Sequence, residues 1–391
     1  MKAFEFHNPT HIVFGNGCID EIGEKSGLSG KRILLVYGQN SIKRNGVYDR
    51  IIKSLTAAGI TEIVEYPGVR SNPVLSHLKA GVELAKIEKV EAIVAVGGGS
   101  VIDEAKGIAA GALYDGDIWG LYNGSFAPEA ALPLVAVLTI PATGSEMNGG
   151  AVITNDETRE KFGAFAAVLY PKVSFMDPEV THSLPADYTA YGAVDAISHL
   201  IEGYFTGEDA WSPIQDRYVE GLIKTIMEAT DRILVNLEDN DARATLMWAA
   251  TLAWNGLAPS GIGAMAFPNH MIEHPLSGRY NIAHGAGLSI VIPAWMRFAA
   301  EKNPAKFAQF AVNVFGIEAS NEKEQALNGV DALQAWFQKI GSPVSLAESN
   351  ISAEDIPQIA DDALHLGKAW GMTNYSKEDV VRILTSCAGV K

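Results

Sequence analysis

The chain has 391 residues, of which 46 are Asp or Glu and 30 are Lys or Arg, giving a formal net charge of −16 at pH 7. Hydrophobic residues make up 48% of the sequence and charged residues 19%, a composition that can bury a large core and excludes disorder over the whole chain. The acidic balance repels phosphate backbones and anionic lipid surfaces, which argues against a nucleic-acid-binding function.

The first half of the sequence alternates short apolar runs with amphipathic stretches. Apolar and β-branched runs predict strands over residues 32–37, 62–66, 91–96 and 134–140, with further pieces at 151–154 and 173–176. Helical spacing of apolar residues predicts helices over 46–58 and 73–88, the second with Pro73 in its first turn. Strands and helices in this order predict a doubly wound parallel sheet.

The second half changes character after about residue 185, where the β-branched runs end. Amphipathic stretches predict helices over 187–205, 213–237, 242–257, 304–315, 322–340 and 353–366. We therefore predict two domains, an α/β domain over residues 1–185 and an all-helical domain over 186–391.

Three consecutive glycines follow the third predicted strand. Gly97, Gly98, Gly99 and Ser100 lie between that strand and a predicted helix at 101–112. Backbone N–H groups and the helix dipole at such a turn can bind a phosphate, and glycine permits its close approach. The spacing is not the G-x-G-x-x-G fingerprint, because Ile102 stands where the third glycine would fall. A tight turn in which Ser100 is the helix N-cap is the alternative interpretation.

Hydroxyl groups follow the fourth predicted strand. Residues 138–148 contain Thr139, Thr143 and Ser145, which could bind phosphate and ribose groups or simply cap the next element. Because both turns follow neighbouring strand candidates, they would line one carboxyl edge of the sheet, where ligands of open α/β sheets bind.

A carboxylate and several imidazoles occur in a repeated spacing in the second half. The set is Asp195, His199, His270, His274 and His284, with two pairs that are each four residues apart. One Asp and three His offer oxygen and nitrogen donors suited to Fe(II), Zn(II) or another divalent first-row metal. The alternatives are hydrogen-bonded histidines and a helix-surface ion pair. Pro275 predicts a turn of the chain, because proline disfavours helical conformation in the residue before it.

These motifs together resemble one family. The most specific are GGGSVIDEAK at 97–106, PATGSE at 141–146, DAISH at 195–199 and the histidine pattern of 270–285. With FHNPTHIVFGNG at 6–17 and the C-terminal helices, the likeness covers nearly the whole chain. The sequence resembles the iron-containing (group III) alcohol dehydrogenase family, and within it the butanol dehydrogenase and NADPH-dependent aldehyde reductase branch.

The resemblance implies an N-terminal Rossmann-like domain, a C-terminal helical domain and a cleft between them. It implies hydride transfer between a nicotinamide dinucleotide and a short-chain primary alcohol or aldehyde, assisted by one divalent metal, with Fe(II) expected first and Zn as the alternative. The implied metal ligands are Asp195, His199, His270 and His284. His274 would lie beside nicotinamide and substrate without binding the metal, and it is our candidate for a catalytic proton relay.

The resemblance also implies the residues that bind the dinucleotide. Gly97, Gly98, Gly99 and Ser100 would cradle the pyrophosphate, with Asp103 one turn behind them. Thr139, Thr143 and Ser145 would line the nicotinamide half, Lys161 would reach the ribose, and Asn72 and Leu184 would complete the surroundings. His182 and Ser183 depart from a plainer Thr-x-Thr-Leu-Pro pattern that is common in the family.

The loop after the first predicted strand decides the choice of nucleotide. It reads Gly38, Gln39, Asn40 and Ser41, where close relatives often have a run of glycines. An acidic residue in this loop favours NAD by binding the ribose 2′-hydroxyl, whereas small and basic residues accept a 2′-phosphate. Residues 38–47 contain Lys43 and Arg44 but no Asp or Glu. We predict NADP(H), with NAD(H) possible if both cations are merely solvated.

Other features bear on compartment and partners. No apolar run approaches the roughly 20 residues of a membrane-spanning helix, the first 14 residues lack a signal-peptide pattern, and Cys18 and Cys387 stand in no metal or redox spacing. We predict a cytoplasmic protein with no membrane partner, and the resemblance implies a homodimer. Three alternatives stay open: an NAD-dependent polyol (glycerol-type) dehydrogenase, a dehydroquinate-synthase-like lyase, and a non-catalytic metal- or nucleotide-binding protein.

Overall fold

The computed structural model describes residues 1–389. The strands are β1 (His11–Phe14), β2 (Ile33–Tyr37), β3 (Ile63–Pro67), β4 (Ala92–Gly98), β5 (Leu134–Ile140), β6 (Gly150–Thr154), β7 (Lys161–Phe165) and β8 (Val173–Met176). The helices are α1 (Ile22–Lys25), α2 (Ser41–Arg44), α3 (Val47–Ala57), α4 (Leu75–Ile87), α5 (Gly99–Gly111), α6 (Trp119–Tyr122), α7 (Ala186–Thr206), α8 (Pro213–Val235), α9 (Asn240–Ala253), α10 (Pro268–Tyr280), α11 (His284–Lys302), α12 (Pro304–Phe315), α13 (Glu322–Lys339), α14 (Ile356–Ala369) and α15 (Lys377–Ser386).

Six strands form one sheet in the spatial order β1-β8-β5-β4-β2-β3, and every neighbouring pair is parallel. All residues of β2 and β4 are buried, which explains why their sequences are continuous apolar runs. On one face, Ile33, Leu35 and Tyr37 of β2 pack with Ile51 and Leu55 of α3 in a hydrophobic core. The predicted parallel sheet is therefore confirmed.

Two strands had no predicted counterpart. In β1, at the edge of the sheet, only Val13 is buried, so the strand has no apolar run to identify it. In β7, Lys161–Phe165 pairs antiparallel with β6 in a separate two-stranded sheet. The partner of β1 is β8, which is distant in the sequence, and local composition cannot show such a partner. The partner of β7 is the neighbouring strand β6, but the sequence of β7, KFGAF, contains no continuous apolar run.

The chain folds as two compact units, which we call the sheet unit and the helical unit. The sheet unit comprises His7–Pro185 and Asn236–Asn255, and the helical unit comprises Met1–Phe6, Ala186–Val235 and Gly256–Lys391. The predicted division at residue 185 differs from these units in two segments, since α9 lies in the sheet unit and the first six residues in the helical unit. Thr251 of α9 donates a hydrogen bond to Glu146, and Asn148 Nδ2 donates to the Trp254 carbonyl. An amphipathic pattern predicts a helix but not the core on which it packs.

Helix α10 of the helical unit corrects one prediction. It runs through Pro275 and ends at Tyr280, so the chain does not turn at His274. Met271, Ile272 and Leu276 of this helix are fully buried, and their burial offsets the hydrogen bond that proline cannot donate. Among residues 1–389, no helix combines the length and the hydropathy that crossing a membrane requires.

Candidate active site

The glycine turn of the sheet unit leads from β4 into α5 without an intervening loop. Strand β4 ends at Gly98 with a register irregularity against β5, and α5 begins at Gly99. Its N-cap residue is Gly98, which makes no side-chain cap hydrogen bond, so Ser100 lies in the first turn and the alternative interpretation of Ser100 as the N-cap is wrong. The first backbone N–H groups of α5 have no intrahelical partner and no cap from the N-cap residue, an arrangement that suits a phosphate.

The glycine turn packs tightly on the hydroxyl-rich loop that follows β5. A Cβ atom at Gly98 would lie 2.9 Å from Ile140 Cβ, and one at Gly99 would lie 2.4 Å from Thr143 Oγ1. Thr143 Oγ1 in turn accepts a hydrogen bond from the Ser145 N–H at 3.1 Å. The structure thus brings together the two turns that the sequence proposed as a nucleotide site, and neither glycine has room for a side chain.

Asp103 and Lys106 connect α5 to the same loop. The Asp103 carboxylate accepts hydrogen bonds from Ser145 Oγ at 2.5 Å and from the Val152 N–H at 2.9 Å. Both carboxylate oxygens therefore have protein partners. Burial raises the pKa of Asp103, which the Lys106 ammonium counteracts. Through its hydrogen bond with Ser145, the Asp103 carboxylate holds the hydroxyl-rich loop in place.

Lys106 is fully buried and was not among the predicted site residues. Its ammonium group donates to Ser145 Oγ at 2.8 Å, to the Asn148 carbonyl at 2.9 Å and to the Gly150 carbonyl at 2.7 Å. Burial lowers the pKa of Lys106 to about 8, while the negative charges of Asp103 and Glu146 act in the opposite direction. The loop that carries Ser145 is thus anchored by a buried ion.

The remaining predicted nucleotide residues also lie in the sheet unit. Thr139 is buried at the end of β5. Lys161 is buried at the start of β7, and its ammonium group donates to Asn72 Oδ1 at 2.9 Å, which brings two predicted residues into contact. Asn72 adopts a positive φ of 53°, which asparagine tolerates better than most residues. Leu184 is half-buried, and its N–H donates to the Thr181 carbonyl.

An acidic residue lies close to the loop that is predicted to decide nucleotide choice, although it is distant from that loop in the sequence. The loop runs from half-buried Gly38 through exposed Gln39, Asn40 and Ser41 into α2. Glu65 on β3 accepts hydrogen bonds from the hydroxyl groups of Tyr37 and Tyr48, and its carboxylate lies 3.1 Å from Lys43 Nζ. The two hydroxyl groups lower the pKa of Glu65. Lys43 Nζ also lies 4.4 Å from the centroid of the Tyr48 ring.

The helical unit gathers the predicted metal ligands. Asp195 and His199 lie one turn apart on α7, His270 lies on α10, and His284 is the first residue of α11. Asp195 Oδ1 is 3.7 Å from His199 Nδ1 and 3.7 Å from His284 Nε2. The His270 ring centroid is 4.9 Å from that of His199 and 5.2 Å from that of His284. Donor atoms of Asp195, His199 and His270 all lie within 4.8 Å of one another.

The protonation of these rings suits a cation. His270 Nδ1 lies 3.0 Å from Glu202 Oε1, so Nδ1 carries the proton and Nε2 keeps its lone pair. His270 Nε2 is buried and has no hydrogen-bonding partner among the described residues. Burial, reinforced by His270 and His284, holds the pKa of His199 well below its ordinary value. A buried acceptor nitrogen beside a carboxylate and two further imidazoles is a donor set that a divalent metal fits.

His274 borders this cluster. Its buried ring lies 5.5 Å from the His284 centroid and packs edge-on against Trp370 at 5.2 Å. Glu273, His274 and His284 also offer donor atoms within 4.8 Å of one another. However, Glu273 contacts His284 at Nδ1, whereas Nε2 of the same ring lies near Asp195. The second group is therefore an extension of the first, joined to it through His284.

Both parts of the chain match sequence profiles of a single family. Residues 9–178 match the profile described as iron-containing alcohol dehydrogenase, and residues 189–388 match that of the C-terminal part of the Fe-containing alcohol dehydrogenase family. The chain belongs to the iron-containing alcohol dehydrogenase family. As a member of this family it is an oxidoreductase.

Individual relatives are similar over nearly their whole length. The chain is 42% identical over 386 residues to the probable NADH-dependent butanol dehydrogenase 1 of Bacillus subtilis, covering 98% of this chain and 99% of that protein. It is 36% identical to the NADPH-dependent aldehyde reductase YqhD of Escherichia coli, covering 92% of each. The crystal structure of NADH-dependent butanol dehydrogenase A from Thermotoga maritima matches this chain with a TM-score of 0.95, over 100% of this chain and 99% of that one. The two sequences are 49% identical. These similarities confirm the predicted family and fold.

Four charged residues of this alcohol dehydrogenase family member contact residues of the predicted sites but were not themselves predicted from the sequence. They are Glu65, Lys106, Glu202 and Glu273. Three had a usable signal: Lys106, Glu202 and Glu273 each lie three residues after a predicted site residue on the same helix, a spacing that puts side chains on one face. Glu65 had none, because its approach to Lys43 requires the pairing of β2 with β3.

Proposed function

We propose that this chain is a metal-dependent alcohol dehydrogenase and aldehyde reductase that transfers hydride between NADP(H) and short-chain primary alcohols or aldehydes. The observation that carries the proposal is the convergence of Asp195, His199, His270 and His284 in the helical unit. The glycine turn of the sheet unit supports the nucleotide half. The names of the similar proteins support butanol and aldehydes as the substrate class.

The four side chains would hold one divalent metal, with Fe(II) expected first and Zn(II) as the alternative, because one oxygen and three nitrogen donors suit both. When bound, the metal supplies Lewis acidity towards the substrate oxygen. His274 is proposed as the proton relay, because its ring is buried beside the cluster and an imidazole can accept and donate a proton near neutral pH. The edge-on contact with Trp370 holds that ring in orientation.

The nucleotide residues divide into those that contact the cofactor and those that position others. We propose that Gly97, Gly98, Gly99 and Ser100 bind the pyrophosphate through backbone N–H groups, and that Thr139, Thr143, Ser145, Lys161, Asn72 and Leu184 surround the rest. Asp103 and Lys106 act indirectly, because their polar atoms engage the Ser145 loop. The nicotinamide supplies or accepts the hydride, and these residues orient it.

The preference for NADP(H) rests on Lys43, which lies beside the loop of Gly38, Gln39, Asn40 and Ser41. A cation there can attract a 2′-phosphate. Glu65 moderates this attraction, because its carboxylate pairs with the same ammonium group. NAD(H) is the alternative to NADP(H) as the nucleotide.

The test is butanal-dependent oxidation of NADPH, comparing chelator-stripped protein with the same sample reloaded under argon with Fe(II) or Zn(II). We expect activity only after reloading, and higher catalytic efficiency with NADPH than with NADH. No activity with any metal, despite measured binding of metal and NADPH, would overturn the proposal. Glycerol oxidation with NAD would then favour the polyol dehydrogenase, and NAD retained through gel filtration would favour the lyase.

Quaternary structure is a separate proposal. The family resemblance leads us to propose a homodimer, which light scattering tests directly. A monomer mass in solution would refute it.

A further inference from the structure

Two buried carboxylates lie behind the imidazoles, and the proposed reaction uses neither of them. Glu202 is on α7 and Glu273 is on α10, and both are fully buried. A buried carboxylate is costly unless it is paired and hydrogen-bonded. Each of these two contacts the Nδ1 atom of one histidine of the cluster.

Glu202 receives four hydrogen bonds from α10. Its Oε1 accepts from the Asn269 N–H at 3.0 Å, from the His270 N–H at 3.1 Å and from His270 Nδ1 at 3.0 Å. Its Oε2 accepts from Asn269 Nδ2 at 3.1 Å. The two backbone donors belong to the first turn of α10, whose N-cap residue Phe267 provides no side-chain cap. One carboxylate therefore caps the helix that carries His270 and holds the His270 ring.

Glu273 holds the His284 ring as Glu202 holds the His270 ring. Its carboxylate contacts His284 Nδ1, and Ser277 Oγ donates to its Oε1 atom. Gly287, on the first turn of α11, lies against this carboxylate so closely that a Cβ atom there would be 2.4 Å from Glu273 Oε1. The carboxylate is thus confined between α10 and the helix that begins with His284.

We infer that Glu202 and Glu273 are positioning residues for the metal site, fixing His270 and His284 with the proton on Nδ1 and the lone pair on Nε2. Their charge makes each imidazole a stronger donor, and their contacts prevent the ring from turning. The observed position of His284 Nε2, 3.7 Å from Asp195 Oδ1, agrees with this orientation. The inference rests on the proposed metal site, and it adds two residues that touch neither substrate nor metal.

The substitutions Glu202→Gln and Glu273→Gln test the inference with little change in volume. Glutamine keeps one acceptor oxygen, so Glu202→Gln can still cap α10 while its negative charge on His270 is lost. Glu220→Gln is the matched control, because Glu220 is a buried carboxylate of the same unit that accepts from Tyr204 Oη, Gln309 Nε2 and Asn313 Nδ2. No histidine is among those partners.

The measurement is the affinity of the stripped, full-length protein for Zn(II), by competition with a chromophoric chelator. The absorption spectrum of the Co(II)-loaded protein gives a second readout of coordination. We expect both test variants to bind Zn(II) about tenfold to a hundredfold more weakly than wild type, with an altered Co(II) spectrum. We expect Glu220→Gln to match wild type in both.

The outcomes separate this inference from the proposed function. If wild type binds no Zn(II), the proposed metal site fails and this inference with it. If wild type binds Zn(II) and both test variants bind as tightly, the inference alone is overturned. Equal weakening by Glu220→Gln would also overturn it, since the effect would then be a general loss of packing. If one variant fails to fold, the other still tests the inference for the histidine that its replaced carboxylate contacts.

Discussion

Replacing Lys106 with methionine tests the conclusion that a buried ammonium group anchors the hydroxyl-rich loop. Methionine fills a similar volume but donates no hydrogen bond, so Ser145 Oγ and the carbonyls of Asn148 and Gly150 lose their buried donor. Asp103 would keep its burial without the neighbouring positive charge. Removing one partner of a buried charge pair costs about 3–5 kcal/mol. At a few degrees per kcal/mol, we expect the Tm to fall by roughly 10 °C.

The assay is thermal and urea unfolding of the stripped protein, with NADPH binding measured on the same samples. The matched control is Lys79→Met, because Lys79 forms an exposed ion pair with Asp117 at 3.0 Å and such pairs contribute about 0–1 kcal/mol. The double variant Asp103→Asn, Lys106→Met should recover part of the loss, since it removes the stranded carboxylate. Equal losses for the Lys106 and Lys79 variants would refute the reasoning.

Three further predictions concern the two proposed sites. Gly99→Ala should weaken NADPH binding measured by fluorescence titration, because its Cβ would lie 2.4 Å from Thr143 Oγ1, whereas Gly221→Ala, with open space around its Cβ, should leave binding unchanged. His274→Gln should lower turnover and change its pH dependence at normal metal content, and unchanged kinetics would exclude the relay. Glu65→Gln should raise the ratio of NADPH to NADH affinity by about two- to fivefold, as expected for an exposed ion pair, and an unchanged ratio would show that Lys43 does not meet the phosphate.

Much of the sheet unit could be predicted because its central strands β2, β4 and β5 are buried on both faces. The runs ILLVY of β2 and LVAVLTI of β5 are apolar enough to be recognised without their neighbours. The edge strand β1 and the hairpin strand β7 could not be recognised in this way, since neither contains a continuous apolar run and β1 pairs with the distant strand β8. Helix α9 was predicted as a helix, but its place on the sheet unit depends on Thr251 and its hydrogen bond to Glu146.

The candidate metal cluster was visible in the sequence because Asp195 and His199 are four residues apart, and His270 and the neighbouring His274 repeat that helical spacing. The carboxylates behind it were less visible, since a buried Glu is identical in sequence to an exposed one until the packing of α7 on α10 is known. The turn predicted from Pro275 was wrong for a related reason. The local preference of a residue before proline opposes a helix at His274, and the burial of Met271 and Leu276 overrides that preference.

The central claim is that one divalent metal, held by Asp195, His199, His270 and His284, is required for hydride transfer. Titration of the stripped protein with Fe(II) under argon tests it most directly, with bound metal and butanal reduction measured on the same samples. We predict that activity rises in proportion to bound metal and levels off at one metal per chain, and that His270→Ala neither retains metal nor turns over. Full activity in the stripped protein, or a His270→Ala variant with normal metal content and turnover, would contradict the account.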